Sequence, residues 1–336
     1  MTYGKEQELL RIENLKVSFP GQGKDIQVIE DVSFDLHKGE VLGIVGESGC
    51  GKSVTAEAIL QLLDKDTTRY SGKILLKGLD LLELSDSEMT KIRGNEISMV
   101  FQDPMSSLNP VQTIGKQIAE AIRIHQDVSK REAKKRSIDL LRRIGIPSPE
   151  ERYKQYPHEI SGGMRQRVMI AMALSCLPSL LIADEPTTAL DVTIQAQILN
   201  LISKFQKDLQ MGVILITHDF GVVANYCTKV AVMYLGQIIE QTDVNTLFSN
   251  PLHPYTNGLI NSIPKLDEDR QKELLSIKGA VPSLAQIPKG CRFASRCEFV
   301  TDRCLEEVPT LETLKNGHQI RCWNYNDIRK AEAVYV

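Results

Sequence analysis

The chain has 336 residues, 42% hydrophobic and 25% charged, an ordinary globular composition and enough length for two or three domains. Forty basic against forty-three acidic side chains leave a formal charge of −3, which gives no indication of a polyanion-binding surface. The first residues are polar and no long apolar run occurs, so we expect no export signal and no membrane span, and we predict a cytoplasmic protein with reduced cysteines.

The first strong motif lies between a predicted buried strand and a predicted helix. The strand, residues 41–45, leads into GESGCGKS, which fits the phosphate-binding pattern G-x-x-x-x-G-K-[ST] at Gly46–Ser53. Glycines let such a turn aim its backbone N–H groups at phosphate, and the positive end of the following helix adds to the attraction. We predict that Lys52 binds the β- and γ-phosphates of a nucleotide and that the Ser53 hydroxyl ligates Mg²⁺.

The predicted nucleotide contacts cover the whole turn and the residue after it. We interpret Cys50 as a small filler within the turn; a redox switch is the alternative, because nearby cationic groups lower a thiol pKa. The predicted contacts are Gly46, Glu47, Ser48, Gly49, Cys50, Gly51, Lys52, Ser53 and Val54.

The middle of the chain begins with a predicted loop and amphipathic helix at residues 103–122, and two further predicted helices follow. Residues 129–146 open with a capping box, Ser129 and Glu132, and carry many basic side chains. We interpret these as a solvated helix face rather than a nucleic-acid site, because no aromatic side chains are interleaved with them. Ser161 and two glycines precede the third helix, whose N-terminus is either an anion site or an ordinary helix start.

Carboxylates follow the next predicted strand. The apolar run at residues 180–183 ends in Asp184 and Glu185. At the end of a parallel strand beside a phosphate-binding turn, Asp184 is placed to hold Mg²⁺. Glu185 can then act as the general base toward the attacking water. Residues 213–220 contain a further buried strand that ends at His218, which either contacts the γ-phosphate or is a structural histidine.

In their order along the chain these motifs resemble an ABC-type ATPase. The resemblance covers residues from about 8 to about 250 and rests on the phosphate-binding turn, Gln102 in MVFQDP, ISGGM, LLIADE, TALD and His218. It implies an α/β fold of the P-loop NTPase class, with a RecA-like α/β subdomain, an antiparallel β subdomain and a helical subdomain at about residues 104–175. We expect the ATPase domain to span residues 1–250 and a small cysteine-rich C-terminal extension to span residues 251–336.

The resemblance also implies a site shared between two subunits. Two cassettes would enclose two ATP molecules head to tail. Each ATP would lie between Lys52 of one subunit and the signature residues Ser161, Gly162 and Gly163 of the other. Asp191 would cross the seam between the subunits.

Further roles follow from the same resemblance. Phe19 would stack on adenine, and Gln102 would sense Mg²⁺ and relay the nucleotide state to a membrane subunit. We expect the loop and amphipathic helix at residues 103–122 to be a docking surface for that membrane subunit. Met164 in the signature, Thr188 at the start of the next motif and phenylalanine in place of tyrosine at position 19 depart from the family pattern, but none of them removes a catalytic group. The implied Mg²⁺ ligands are Ser53, Gln102 and Asp184.

Near the end of the chain, four cysteines stand in a stretch with little predicted core of its own: Cys291, Cys297, Cys304 and Cys322. None of the gaps between them is as short as the two to four residues usual in structural zinc sites. From the spacing alone, an iron–sulfur cluster, a zinc ion and unligated cysteines all remain open. An arginine adjoins each cysteine and would offset the negative charge of a thiolate metal centre.

This tail resembles the C-terminal extension of oligopeptide and dipeptide importer ATPases. The similarity lies in LHPYTNGLINSIP, GAVPSL and GCRFASRC. In some members four cysteines hold a four-iron, four-sulfur cluster, so the resemblance implies that the same four are its ligands here, with zinc as the alternative. We expect Cys176 and Cys227, which lie in apolar segments, to be packing residues.

Together the motifs predict an ATP-hydrolysing subunit that powers peptide import from the cytoplasmic face of the cell membrane. The implied partners are a second ATPase subunit, either a paralogue or a copy, two transmembrane permease subunits and an extracytoplasmic substrate-binding protein, with no nucleic acid. An importer of oligosaccharides or another small solute is the nearest alternative, because nothing in this chain touches the substrate. A non-transport ABC ATPase is less favoured, since the chain has one phosphate-binding turn and a compact interval between Gln102 and Ser161.

Overall fold

Strands and helices alternate through most of the computed structural model, which describes residues 8–21, 23, 25–103, 107–188, 191–263 and 277–327. The strands are β1 (Glu8–Phe19), β2 (Ile26–His37), β3 (Val41–Val45), β4 (Arg69–Leu76), β5 (Leu79–Asp80), β6 (Ile97–Val100), β7 (Leu180–Asp184), β8 (Gly212–Ile216), β9 (Lys229–Tyr234), β10 (Gln237–Asp243), β11 (Glu312–Thr313) and β12 (Gln319–Ile320). The helices are α1 (Lys52–Ile59), α2 (Asp86–Ile92), α3 (Ile114–His125), α4 (Lys130–Arg143), α5 (Pro149–Arg152), α6 (Gly162–Leu174), α7 (Val192–Leu209), α8 (Phe220–Tyr226), α9 (Val244–Ser249), α10 (Pro254–Asn261) and α11 (Asp302–Glu306). Across these ranges, no helix has both the length and the apolar character that a bilayer crossing requires.

The main sheet has the strand order β11-β12-β10-β9-β3-β8-β7-β6. The strands β9, β3, β8, β7 and β6 run parallel to one another, whereas β10 pairs antiparallel with β9, and every residue of β7 and β8 is buried. Such continuous burial is typical of parallel strands that are covered on both faces. Because parallel strands end at one edge of a sheet, the loops after β3, β6, β7 and β8 lie side by side.

A smaller antiparallel sheet, ordered β2-β1-β4-β5, packs against the main sheet. Its apolar side chains form one buried cluster with those of β3, β7 and β8. The sheet also confines the phosphate-binding turn, because a Cβ atom added to Gly51 would lie 2.6 Å from Ile29 Cδ1 on β2. Phe19 ends β1, partly buried against the same cluster.

Helices α3, α4 and α6 pack together in the middle of the chain. Their buried stripes include Ile118 on α3, Leu141 on α4 and Val168 on α6, which belong to a second apolar cluster. Helix α4 starts at its predicted N-cap, with the Ser129 hydroxyl accepting a hydrogen bond from the Glu132 N–H at 3.2 Å, but the Glu132 side chain pairs with Arg136 and the predicted capping box is only half formed. The helical subdomain was predicted from residue 104, and residues 104–106 lie outside the described part of the chain, so its bounds stay a prediction.

The C-terminal segment is joined to the main sheet rather than set apart from it. Strand β12 pairs antiparallel with β10, with Glu240 opposite Ile320. The Glu240 carboxylate, which is fully buried, accepts hydrogen bonds from the Leu252 N–H at 2.7 Å and the His253 N–H at 3.0 Å, and it lies 2.8 Å from His318 Nε2. A buried carboxylate needs such partners, so these contacts anchor the segment to β10.

Candidate nucleotide site

The residues predicted to bind phosphate lie together where parallel strands of the main sheet end. Strand β3 leads into Gly46–Ser53, β7 ends at Asp184, and β8 and β6 lead to His218 and Gln102. The Ser53 hydroxyl lies beside the Asp184 carboxylate and lowers its pKa. Motifs that are far apart in sequence thus meet at one edge, as their places after buried strands predict.

The turn itself has the shape that a phosphate requires. Gly46 has φ 154°, and a Cβ atom there would lie 2.3 Å from the Met233 carbonyl oxygen, so glycine is forced by crowding. Gly49 has φ 79°, and a Cβ atom there would meet nothing within 4 Å, so this side of the turn is open. No side chain caps helix α1 and no acidic residue lies in its first turn. The free N–H groups at that end fit an anion.

Lys52 lies inside the turn, 6% exposed. Its Nζ atom donates to the carbonyl oxygens of Gly46 at 2.8 Å and Glu47 at 3.0 Å. The Cys50 sulfur lies 3.7 Å from the same Nζ atom, yet burial raises the pKa of Cys50 more than the lysine lowers it. Cys50 therefore matches the filler interpretation better than the redox alternative, because a buried neutral thiol is unreactive.

The Glu185 carboxylate has three side-chain neighbours. Thr188 Oγ1 donates to it at 2.9 Å and Gln102 Nε2 donates at 3.0 Å, while His218 Nδ1 lies 3.3 Å away. Burial would raise the pKa of Glu185, but the hydrogen bonds from Thr188 and His218 outweigh burial, and the pKa is lowered. A carboxylate that stays ionised and is held in place is in the state that a general base needs.

Asp184, 6% exposed, ends β7 beside Ser53. Burial raises its pKa, and Glu185 raises it further, although the Ser53 hydroxyl lowers it. A hard cation between Ser53 and Asp184 would favour the ionised form and accept both oxygen atoms, so these residues fit Mg²⁺. The third predicted ligand, Gln102, directs its amide to Glu185 instead.

Other residues predicted to contact ATP lie at helix starts. The ATP that they would contact is the one bound by Lys52 of a second subunit. Ser161 begins α6, where its hydroxyl accepts a hydrogen bond from the Met164 N–H at 3.4 Å. Asp191 begins α7, where it accepts from the Ile194 N–H at 2.9 Å. A Cβ atom on Gly162 would meet nothing within 4 Å. These residues cap helices in the single chain, and their contacts across a dimer stay a prediction.

All four cysteines of the tail line one small cavity, together with Phe293 and Trp323. No three of their sulfur atoms lie within 4.8 Å of one another, although all four cysteines belong to the described residues. Burial raises the pKa of Cys297 to about 11 and that of Cys322 to about 12. Without a bound cation these thiols are protonated at neutral pH.

The arginines beside the cysteines have carboxylate partners. The ion pairs are Arg292–Glu30, Arg296–Glu47, Arg303–Glu307 and Arg321–Asp31. Three of these pairs join the tail to β2 or to the phosphate-binding turn. The direct contacts of these arginines therefore dock the tail. Their charge compensation of a metal centre stays a prediction; Arg321 does lower the pKa of Cys291 electrostatically, although burial raises that pKa overall.

Sequence reasoning missed two sets of contacts in the site. Thr188 was noted only as a departure from the family pattern, although its position three residues after Glu185 could have indicated a local hydrogen bond. The contacts of Arg296 and Tyr255 with Glu47 join residues more than two hundred positions apart, and no sequence signal predicts them.

A phosphate-binding turn beside acidic strand ends, an antiparallel sheet and a packed group of helices define the class: the protein is an ATP-binding cassette ATPase. The model of the ABC transporter family matches residues 29–188. The dimeric structure of the ATP-binding cassette MJ0796 in a post-hydrolysis state, bound to ADP and Pi, has a TM-score of 0.63 and 26% identity. That match covers 70% of this chain and 99% of the other.

More specific matches extend through the tail. The family model described as oligopeptide/dipeptide transporter, C-terminal region, matches residues 239–304. The oligopeptide transport ATP-binding protein OppD of Bacillus subtilis is 51% identical, over 94% of this chain and 88% of its own. The dipeptide transport ATP-binding protein DppD of the same organism is 50% identical, over 98% of both chains. The chain belongs to this family of ABC transporter ATP-binding proteins.

Proposed function

We propose that this protein hydrolyses ATP to power the import of dipeptides and oligopeptides by a membrane ABC transporter. The observation that carries the proposal is the match of residues 239–304 to the C-terminal region of oligopeptide/dipeptide transporters, in addition to the ABC transporter match at residues 29–188. Sequence identities of 51% to OppD and 50% to DppD over nearly the whole chain support the same substrate class.

Uptake measurements test the substrate class. The chain is expressed with the permease and binding-protein genes next to its own, in a host without peptide uptake, and labelled dipeptides, oligopeptides and oligosaccharides are supplied. We expect peptide accumulation that Glu185→Gln abolishes, because import needs hydrolysis. Accumulation of an oligosaccharide without any peptide would favour the alternative importer, and no transport of any solute would contradict the proposal.

In the proposed nucleotide site, Lys52 binds the β- and γ-phosphates, and Ser53 and Asp184 hold Mg²⁺. Glu185 accepts the proton of the attacking water, and His218 orients that carboxylate and the γ-phosphate. The hydrogen bond of Thr188 to Glu185 and the Ser53–Asp184 contact support these roles. The remaining contacts would come from Phe19, Gln102 and, across a dimer, from the second subunit's copies of Ser161, Gly162, Gly163 and Asp191.

The proposed assembly contains two cassettes and two permease subunits, with an extracytoplasmic substrate-binding protein delivering the peptide. The chain would lie peripherally on the cytoplasmic membrane face. The dimeric MJ0796 cassette supports a pair of cassettes, the second being either a copy or a paralogue of this chain. Gln102, with its amide on Glu185, is suited to report the nucleotide state to a permease, since along the chain it follows β6 and precedes helix α3.

We further propose that Cys291, Cys297, Cys304 and Cys322 hold a four-iron, four-sulfur cluster within a cysteine-rich extension spanning residues 251–336. Their convergence on one cavity supports a metal centre. Four thiolates on one zinc ion, with Zn–S bonds of about 2.3 Å, would place the sulfurs about 3.8 Å apart. In a four-iron, four-sulfur cluster each thiolate binds a different iron, so the four sulfurs need not lie that close together.

Metal analysis tests this centre. We expect protein purified without oxygen to be brown, with iron and acid-labile sulfide, and Cys322→Ser to lose both because one ligand is removed. Cys176→Ser is the matched control: Cys176 is buried and lies outside the cavity, so its replacement should leave the metal content unchanged. Zinc without iron, or equal iron in Cys322→Ser and wild type, would contradict the assignment.

A further inference from the structure

Glu47, the second residue of the phosphate-binding turn, is held at three points. Its carboxylate accepts two hydrogen bonds from Arg296, at 2.7 Å and 3.1 Å. Its N–H donates to the Tyr255 hydroxyl at 2.9 Å. Its carbonyl oxygen accepts from Lys52 Nζ at 3.0 Å. The C-terminal segment therefore contacts the residue that in turn positions the phosphate-binding lysine.

Arg296 is itself fixed, so it can impose a position on Glu47. Its side chain is 4% exposed, and its Nε atom donates to the Lys278 carbonyl at 3.0 Å. The guanidinium also lies over the rings of Tyr234 and Phe293, 5.8 and 5.9 Å from their centroids. A planar guanidinium that pairs with both carboxylate oxygens fixes orientation as well as distance.

Tyr255 is equally constrained. It is fully buried in α10, with its ring edge-on to Tyr234 at 4.8 Å and to Phe293 at 5.4 Å between centroids. The hydroxyl accepts a hydrogen bond from the part-buried N–H group of Glu47, so this N–H is satisfied by the C-terminal segment. We name Arg296 and Tyr255 together the turn clamp.

We propose that the turn clamp is a positioning device for ATP binding: Arg296 and Tyr255 hold the Glu47 peptide so that Lys52 is oriented toward the β- and γ-phosphates. The C-terminal segment thereby sets the nucleotide affinity of the cassette. Arg296 ends a short turn, Ala294–Arg296, and the next residue, Cys297, lines the cysteine cavity. A structural change at that cavity can therefore alter the nucleotide site through Arg296. The inference rests on the proposed role of Lys52.

Binding of MgATP to the purified full chain tests the clamp. We expect Arg296→Gln to raise the Kd about fivefold to tenfold, at the lower end of couplings between linked sites. Tyr255→Phe keeps the buried ring and removes only the hydroxyl, so it should raise the Kd in the same direction. Arg296→Lys should recover part of the affinity, because it restores the charge without the paired hydrogen bonds.

Arg321→Gln is the matched control. The Arg321 side chain is likewise 4% exposed, adjoins a cysteine and pairs with a carboxylate, Asp31, at 2.9 Å, but Asp31 lies on β2 outside the turn. We expect this variant to lower the melting temperature as much as Arg296→Gln while leaving the Kd unchanged. Equal weakening of binding in both variants would mean a general loss of structure and would overturn the proposal.

A double-mutant cycle isolates the contact. Because Arg296 acts through Glu47, Arg296→Gln should have little further effect on the Kd in a Glu47→Gln background. Additive effects, or a wild-type Kd in Arg296→Gln, would refute the clamp. If Lys52→Ala binds MgATP as tightly as wild type, the lysine assignment fails first, which separates that failure from failure of the clamp.

Discussion

Glu185→Gln is expected to lower the rate of ATP hydrolysis at least about 100-fold while MgATP binding is retained. The amide is nearly the same size as the carboxylate, and its oxygen can still accept the hydrogen bond that Thr188 makes at 2.9 Å. It cannot accept a proton from water at neutral pH. Binding without turnover should hold the protein as an ATP-bound dimer, which size-exclusion chromatography with MgATP can detect.

The matched control for this variant is Glu307→Gln. Glu307 is an exposed glutamate whose partner is Arg303 in the same short helical segment, and it belongs to none of the strands that end at the nucleotide site. Its replacement should leave phosphate release unchanged. Turnover near the wild-type rate in Glu185→Gln would contradict the general-base role, and a variant that fails to bind MgATP would show that the carboxylate shapes the site instead.

Lys52→Ala is expected to weaken MgATP binding about 10- to 100-fold, the loss that corresponds to a charged hydrogen bond worth about 1.5 to 3 kcal/mol. Two effects add in the same direction. The β- and γ-phosphates lose their ammonium partner, and the carbonyl oxygens of Gly46 and Glu47 lose the donor that now lies 2.8 Å and 3.0 Å away. Isothermal titration calorimetry at constant Mg²⁺ measures the change in Kd.

Lys73→Ala provides the control, because Lys73 is exposed on β4 of the antiparallel sheet. Removing its charge should leave the Kd for MgATP within error of the wild type. If Lys52→Ala binds MgATP as tightly as the wild type does, the turn at Gly46–Ser53 does not bind the nucleotide through this side chain. Together with Glu185→Gln, the variant separates binding from hydrolysis.

Much of the nucleotide site could be predicted from the sequence because its parts are local. A buried strand, a glycine turn and a helix start are encoded within about fifteen residues at 39–53, and the free N–H groups of α1 follow from that order. Asp184 and Glu185 follow the same rule at the end of β7. Since parallel strands end at one edge of a sheet, the positions of these motifs after buried strands predict that they lie close together.

The tail could be predicted less well, because its contacts are long-range. Arginines next to cysteines suggested charge compensation, but Arg296 pairs with Glu47 and Arg321 with Asp31, 249 and 290 positions away. No periodicity or spacing encodes such pairs. They depend on how β12 adds to β10 and on the shared packing of Tyr234, Tyr255 and Phe293.

The sequence by itself determined the α/β class, the phosphate-binding turn and the order of the acidic strand ends, because each arises from neighbouring residues and the hydrophobic period. Only the tertiary structure decided that the C-terminal segment belongs to the main sheet and that Glu47 is held by Arg296 and Tyr255. The physical reason is that side-chain partners across a fold are selected by packing and burial, which bring together charges that the chain keeps far apart.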